Sequence, residues 1–142
     1  SLFLNKESLL DKEKSTLIAS VLKRRIKAEP IQYILGKTEF LGLEFKVNKD
    51  VFIPRPETEV LVETATKIGH RLLVVGGRLK VLDLGTGTGC IAIALRKNLP
   101  DAEIVAIDIS KEELKIAEEN ARLNNVDITF IQSDLFKWHS SK

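Results

Sequence analysis

The reading of this chain turns on Val81–Leu95, VLDLGTGTGCIAIAL. A short apolar run ends in an acid, Asp83. Three glycines follow at alternate positions, Gly85, Gly87 and Gly89, and apolar residues then resume at helical spacing. A parallel strand that runs through glycines into a helix presents backbone N–H groups at the helix N-terminus. Bare Cα atoms there allow a tight turn and let a ligand lie close to the main chain. The dinucleotide fingerprint is G-x-G-x-x-G. Here the third glycine comes one residue early, which makes a nicotinamide cofactor the poorer fit.

Outward from this loop the pattern is strand, helix, strand, helix, strand. The predicted strands are Lys80–Leu84, Glu103–Asp108 and Ile128–Gln132; the predicted helices run from about Gly89 to Lys97 and from Lys111 to Leu123. Ser110 and Glu113 form a capping box before the second helix, and Asn124-Asn125 closes it. Strands alternating with helices of this length specify a βαβαβ unit with a parallel sheet, a partial doubly wound, Rossmann-like α/β fold.

Upstream, Ser8 to about Lys27 reads as a helix with Leu17, Ile18, Val21, Leu22 and Ile26 on one face, stopped by Pro30. Ile31–Pro54 reads as a small β-hairpin, with turns at Gly42 and at Asn48-Lys49-Asp50. Pro56 to Ile68 reads as a helix ended by Gly69, with Leu72–Val75 left open between more helix and an apolar loop. The expected division is a helical remnant over 1–29, a hairpin linker over 30–55, and the first half of a ligand-binding α/β domain over 56–142.

The bulk numbers exclude some classes. A formal charge of +2 over 142 residues is too small to argue for nucleic acid or a membrane surface. No apolar run approaches the ~20 residues of a membrane span, and the start lacks the basic region of a signal peptide. Cys90 is the single cysteine, so a reducing, cytoplasmic setting is favoured. Among Ile91, Ile93 and Ala94 it reads as a small core residue. No metal cluster is expected. His70 and His139 read as surface histidines.

Two further acids sit at predicted strand ends. A carboxylate at Asp108 matches the two adjacent hydroxyls of a ribose. Asp134, in QSDLF, is placed to accept from an adenine amino group, with Leu135 and Phe136 flanking the ring. Asp83 would face a cationic part of the ligand. Each acid taken singly also reads as a helix cap or turn former. Together with the glycine loop, at consecutive strand ends, they point to one adenosine-bearing ligand.

At these residues the sequence resembles the class I S-adenosylmethionine (SAM) methyltransferases, through LDLGTGTG, VAIDIS and QSDLF. Glu29–Glu63, EPIQYILGKTEFLGLEFKVNKDVFIPRPETEVLVE, is similar to the HemK/PrmC family of protein-(glutamine-N5) methyltransferases. That resemblance implies SAM as cofactor and, as partner, a peptide-chain release factor methylated on the glutamine of its Gly-Gly-Gln loop. It implies a cofactor site of Asp83, Gly85, Thr86, Gly87, Thr88, Gly89, Asp108, Ile109, Asp134 and Leu135. Phe52, Arg55, Pro56, Glu57 and Thr58 would border the cofactor and substrate cleft; from its residues alone, Arg55 reads equally as a partner of Glu57 or Glu59. The family's Asn-Pro-Pro-Tyr motif, which grips the glutamine amide, is not found, so no catalytic residue is assigned and these 142 residues are expected not to methylate by themselves. The chain reads as an internal piece of a longer enzyme whose first sheet strand is a bare edge open to self-association. The alternatives are a SAM-dependent methyltransferase acting on nucleic-acid amino groups and a non-catalytic SAM-binding remnant.

Overall fold

A computed structural model describes residues 11–74 and 78–134. The chain runs α1 (Lys12–Ile26), α2 (Ile31–Leu35), β1 (Lys37–Phe40), β2 (Leu43–Lys46), α3 (Pro56–Val74), β3 (Lys80–Leu84), α4 (Cys90–Asn98), β4 (Glu103–Asp108), α5 (Lys111–Leu123) and β5 (Thr129–Gln132). Strands β3, β4 and β5 form a parallel sheet in that order, the βαβαβ unit expected from the sequence. Leu84 is registered with Ile107, and Asp108 with Gln132, so the carboxyl ends of the strands finish side by side.

The hairpin β1–β2 is antiparallel with a two-residue Leu41-Gly42 turn, both residues at positive φ. That is the turn geometry whose twist matches paired strands. Its aromatics are not surface features. Phe40 and Phe45 are fully buried, meet edge to face at 6.1 Å, and join the cluster formed by Val62, Ile93, Leu95, Leu99 and Ile104. Burying one such ring stabilises the fold by about 2 kcal/mol. The Glu59 carboxylate accepts from the Leu41 N–H at 3.0 Å and so ties the turn to α3.

Two expectations are corrected. Ile31–Leu35 is a short helix rather than the start of β structure. The Pro30 carbonyl accepts from Tyr33 and Ile34 N–H, and Gly36 closes the helix at φ +70. Proline at the start and left-handed glycine at the end are helix punctuation. Gly69 does not end α3; the helix passes through it to Val74. A Cβ there would stand 2.7 Å from a Leu99 methyl, so the bare Cα is a packing requirement within a continuous helix. The apolar face of α1 is not buried: α1 has no buried residue, and Leu17, Ile18, Leu22 and Ile26 are exposed. The expected helix start at Ser8 and the Gly76-Gly77 break lie outside the described residues.

Candidate functional site

The glycine segment leaves β3 and folds back onto the end of β4. The Gly85 and Thr86 N–H groups both donate to the Ile107 carbonyl, at 2.8 and 3.0 Å. The Gly87 N–H donates to Asp108 Oδ2 at 2.9 Å. The Gly89 N–H donates to the Thr86 carbonyl at 2.8 Å, and Gly89 is the N-cap of α4. Two of the glycines are required for separate reasons. Gly85 has φ +73, and the space where a Cβ would project holds no atom within 4 Å. Gly89 has φ +79, and a Cβ there would meet Ala117 and Ile93 at 3.1 Å. One glycine keeps a surface of the loop open, and the other lets α4 start against α5.

Asp108 is 6% exposed and uses both oxygens. Oδ1 accepts from the Ser110 N–H at 3.0 Å while Oδ2 holds Gly87. Each carboxylate oxygen has two acceptor directions, so one on each remains for a ligand hydroxyl. Asp83 is also buried, and its Oδ2 accepts from the Thr86 hydroxyl at 2.7 Å. Burial pushes its carboxyl above the ordinary range. The Thr86 hydroxyl and the Ala92 backbone pull it down, and the Asp108 charge adds to the upward push. Glu113 lies over the same loop, its Oε2 3.3 Å from the position of a Gly87 Cβ. Its carboxyl is also raised, by burial first and then by Asp108. Three carboxyl groups thus share the carboxyl end of β3 and β4.

Asp134 lies two residues past Gln132, the register partner of Asp108, and the intervening Ser133 N–H donates to the Asp108 carbonyl at 3.0 Å. The structure therefore brings the loop, Asp83, Asp108 and the Asp134 segment to one sheet edge. Ile109 is exposed beside them. Phe52 is exposed, as are Arg55, Pro56 and Glu57, with Thr58 half-buried. They lie on the approach to α3 and its first turn, and no hydrogen bond or ion pair joins them to Gly85–Gly89. Arg55 makes no ion pair among the described residues. Leu135, Phe136 and His139 lie outside the described residues. His70 is exposed on α3, inside the helix rather than in a turn at its end. Burial raises the Cys90 thiol above its usual value, as expected of a core cysteine. No group of His, Cys, Asp and Glu among the described residues is arranged to hold a metal ion.

The sequence reading missed Asn120. It is a wholly buried polar residue on α5, bonded to both the hairpin and the loop. Its signal was present: an asparagine between Ala117 and Ala121 interrupts the apolar stripe where a helix meets its core.

Comparison with known proteins bears on this geometry. A methyltransferase domain model matches residues 77–142, and a PrmC N-terminal domain model matches residues 1–36. A release factor glutamine methyltransferase from Flavobacterium psychrophilum is 52% identical over 118 residues, 83% of this chain and 41% of that protein. The chain belongs to the HemK/PrmC-type methyltransferase family. It spans less than half the length of the curated relatives it matches. Two solved structures carry the same fold. A SAM-dependent methyltransferase from Agrobacterium tumefaciens is 27% identical with a TM-score of 0.58, over 72% of this chain and 33% of that one. A ribosomal protein L11 methylase from Lactobacillus delbrueckii subsp. bulgaricus is 32% identical with a TM-score of 0.51, over 66% and 46%.

Proposed function

We propose that this HemK/PrmC-type chain forms the cofactor-binding part of a SAM-dependent protein-glutamine methyltransferase acting on peptide-chain release factors. The observation that carries the cofactor reading is the open surface over Gly85, flanked by Asp83 and Asp108 at adjoining strand ends. The residues fit the group. The loop offers unhindered backbone, Asp108 keeps acceptor capacity for ribose hydroxyls, and Asp83 supplies negative charge where a sulfonium or ammonium would lie. When bound, SAM supplies an electrophilic methyl group.

The chain's own contribution is to hold and orient. Gly85, Thr86, Gly87, Thr88 and Gly89 shape the cradle, Ile109 and Leu135 border the base, and Asp134 accepts from it. Phe52, Arg55, Pro56, Glu57 and Thr58 line the approach for the release factor loop. An amide nitrogen is a weak nucleophile and must be held in line by acceptors that take up its developing charge. No Asn-Pro dipeptide is present for that task. The relatives' names support the release factor as acceptor. The same reading carries a cytoplasmic setting and the division into 1–29, 30–55 and 56–142.

Calorimetric titration of the chain with S-adenosylhomocysteine tests the cofactor reading. Saturable binding that Asp108→Ala removes supports it; no binding to wild type sinks it. Incubation with SAM and a release factor yields no methylated glutamine from these residues alone, and product would overturn that part.

The proposal extends to self-association. β3 pairs only with β4 among the described residues, and Leu82 and Leu84 are exposed on it. Unpaired apolar edges recruit further strands. Sedimentation of a clean monomer at high concentration would count against this.

A further inference from the structure

We propose that Asn120 is a positioning residue that couples the hairpin to the cofactor loop, an inference that rests on the cofactor reading above. Its side chain is 0% exposed. Oδ1 accepts from the Lys46 N–H at 2.7 Å. Nδ2 donates to the Lys46 carbonyl at 3.1 Å and to the Thr88 carbonyl at 3.0 Å. The partners fix which atom is oxygen and which nitrogen, because two are carbonyls and one is an N–H. No other side chain of this size carries two donors and an acceptor on one planar group. Aspartate lacks the donors and leucine lacks both.

Each end of this bridge governs something the site needs. Thr88 C=O and Gly89 N–H belong to one rigid peptide plane. Holding the carbonyl therefore sets the N–H that closes the loop onto Thr86. One turn earlier on α5, Ala117 lies against Gly89, so the same helix face supports the loop by contact and by hydrogen bond. At the other end, Lys46 is the last residue of β2, and the chain runs from it to Phe52–Thr58. One buried amide thus sets the cofactor cradle and the approach segment in a common frame.

Asn124 provides an internal control. Its Nδ2 donates to the Glu44 carbonyl at 2.9 Å and to the Asn120 carbonyl at 3.0 Å, so it holds the hairpin but does not touch the loop. The experiment compares Asn120→Ser, Lys46→Pro and Asn124→Ala in the whole chain. Lys46→Pro deletes the hairpin donor, together with the exposed Lys46 Nζ–Glu119 ion pair at 3.2 Å, and leaves the residues of α5 and the loop unchanged. Two readouts are taken: amide hydrogen exchange at residues 85–89, relative to Ile93 and Ile107, and affinity for S-adenosylhomocysteine. Asn120→Ser and Lys46→Pro are expected to speed loop exchange and weaken binding about tenfold, the scale of one hydrogen bond. Asn124→Ala is expected to leave both within about twofold. If Asn120→Ser does not fold, Lys46→Pro carries the test. Loop exchange unchanged in Lys46→Pro, or moved equally by Asn124→Ala, overturns the coupling. Wild type that binds no S-adenosylhomocysteine overturns the cofactor reading instead, and the exchange data still decide the coupling.

Discussion

Helices α1 and α5 look alike in the sequence and end differently in the fold. Both carry apolar residues at helical spacing. α5 buries Leu114, Ala117, Asn120 and Ala121, because β2, β4, β5 and α4 all lie against its inner face. α1 buries nothing, and Ile26 at its end is 85% exposed. Periodicity states that a helix has a face to cover. It does not state that the cover is present, and the energy of burial belongs to the pair of surfaces rather than to the pattern.

Substitutions on the two sides of this comparison should separate cleanly. Phe45→Ala, in the hairpin packed on α5, is expected to cost about 4 kcal/mol in urea unfolding, as truncated core aromatics do. A cost near zero would mean that the hairpin is not part of the core. Gly89→Ala follows. A side chain at φ +79 and in contact with Ala117 costs about 3 kcal/mol, combining left-handed strain with overpacking; a stability equal to wild type would break the claim that α4 and α5 need a bare Cα between them.

Asp83→Asn tests the charge beneath the loop. Its raised carboxyl means that the folded state binds this proton more tightly than the unfolded chain. The stability it contributes is present at low pH and is lost as pH rises through the folded value. The variant does not titrate, so its melting temperature relative to wild type should climb as pH rises out of the ordinary carboxylate range. A relative fall over that interval would reverse the assignment. The smallest effect belongs to α1. Leu22→Gln and Ile26→Gln should each change stability by less than about 0.5 kcal/mol, since both side chains are exposed, at 55% and 85%. A loss comparable to Phe45→Ala would show that the α1 face is covered in solution.

The regular elements were legible where local chemistry and tertiary demand agreed. α5 was read correctly at both ends because Ser110 accepts from the Glu113 N–H and Asn125 takes φ +53 just beyond it. β3 and β4 were legible through their apolar runs and the acids that end them. Gly69 misled because glycine carries two meanings, helix stop and close packing, and only the position of Leu99 chooses between them. α2 was missed because Ile31, Tyr33, Ile34 and Leu35 were read with the strands that follow, outweighing Pro30 and Gly36 on either side. Within the site, the loop and its acids were legible as a series at strand ends. Asn120 was not, since its value lies in Lys46 and Thr88, distant in sequence and brought together only by the fold.

The order in which the loop is made and the order in which it is held run opposite ways. Gly85 and Thr86 are anchored by Ile107, and Gly87 by Asp108, 21 residues further on. A nascent chain that has emerged only as far as α4 has the glycines and their local bonds to Asp83 and Thr86, but none of the anchors that β4 supplies. The anchored form of the loop is therefore an outcome of β4 docking, not a scaffold that β4 finds in place.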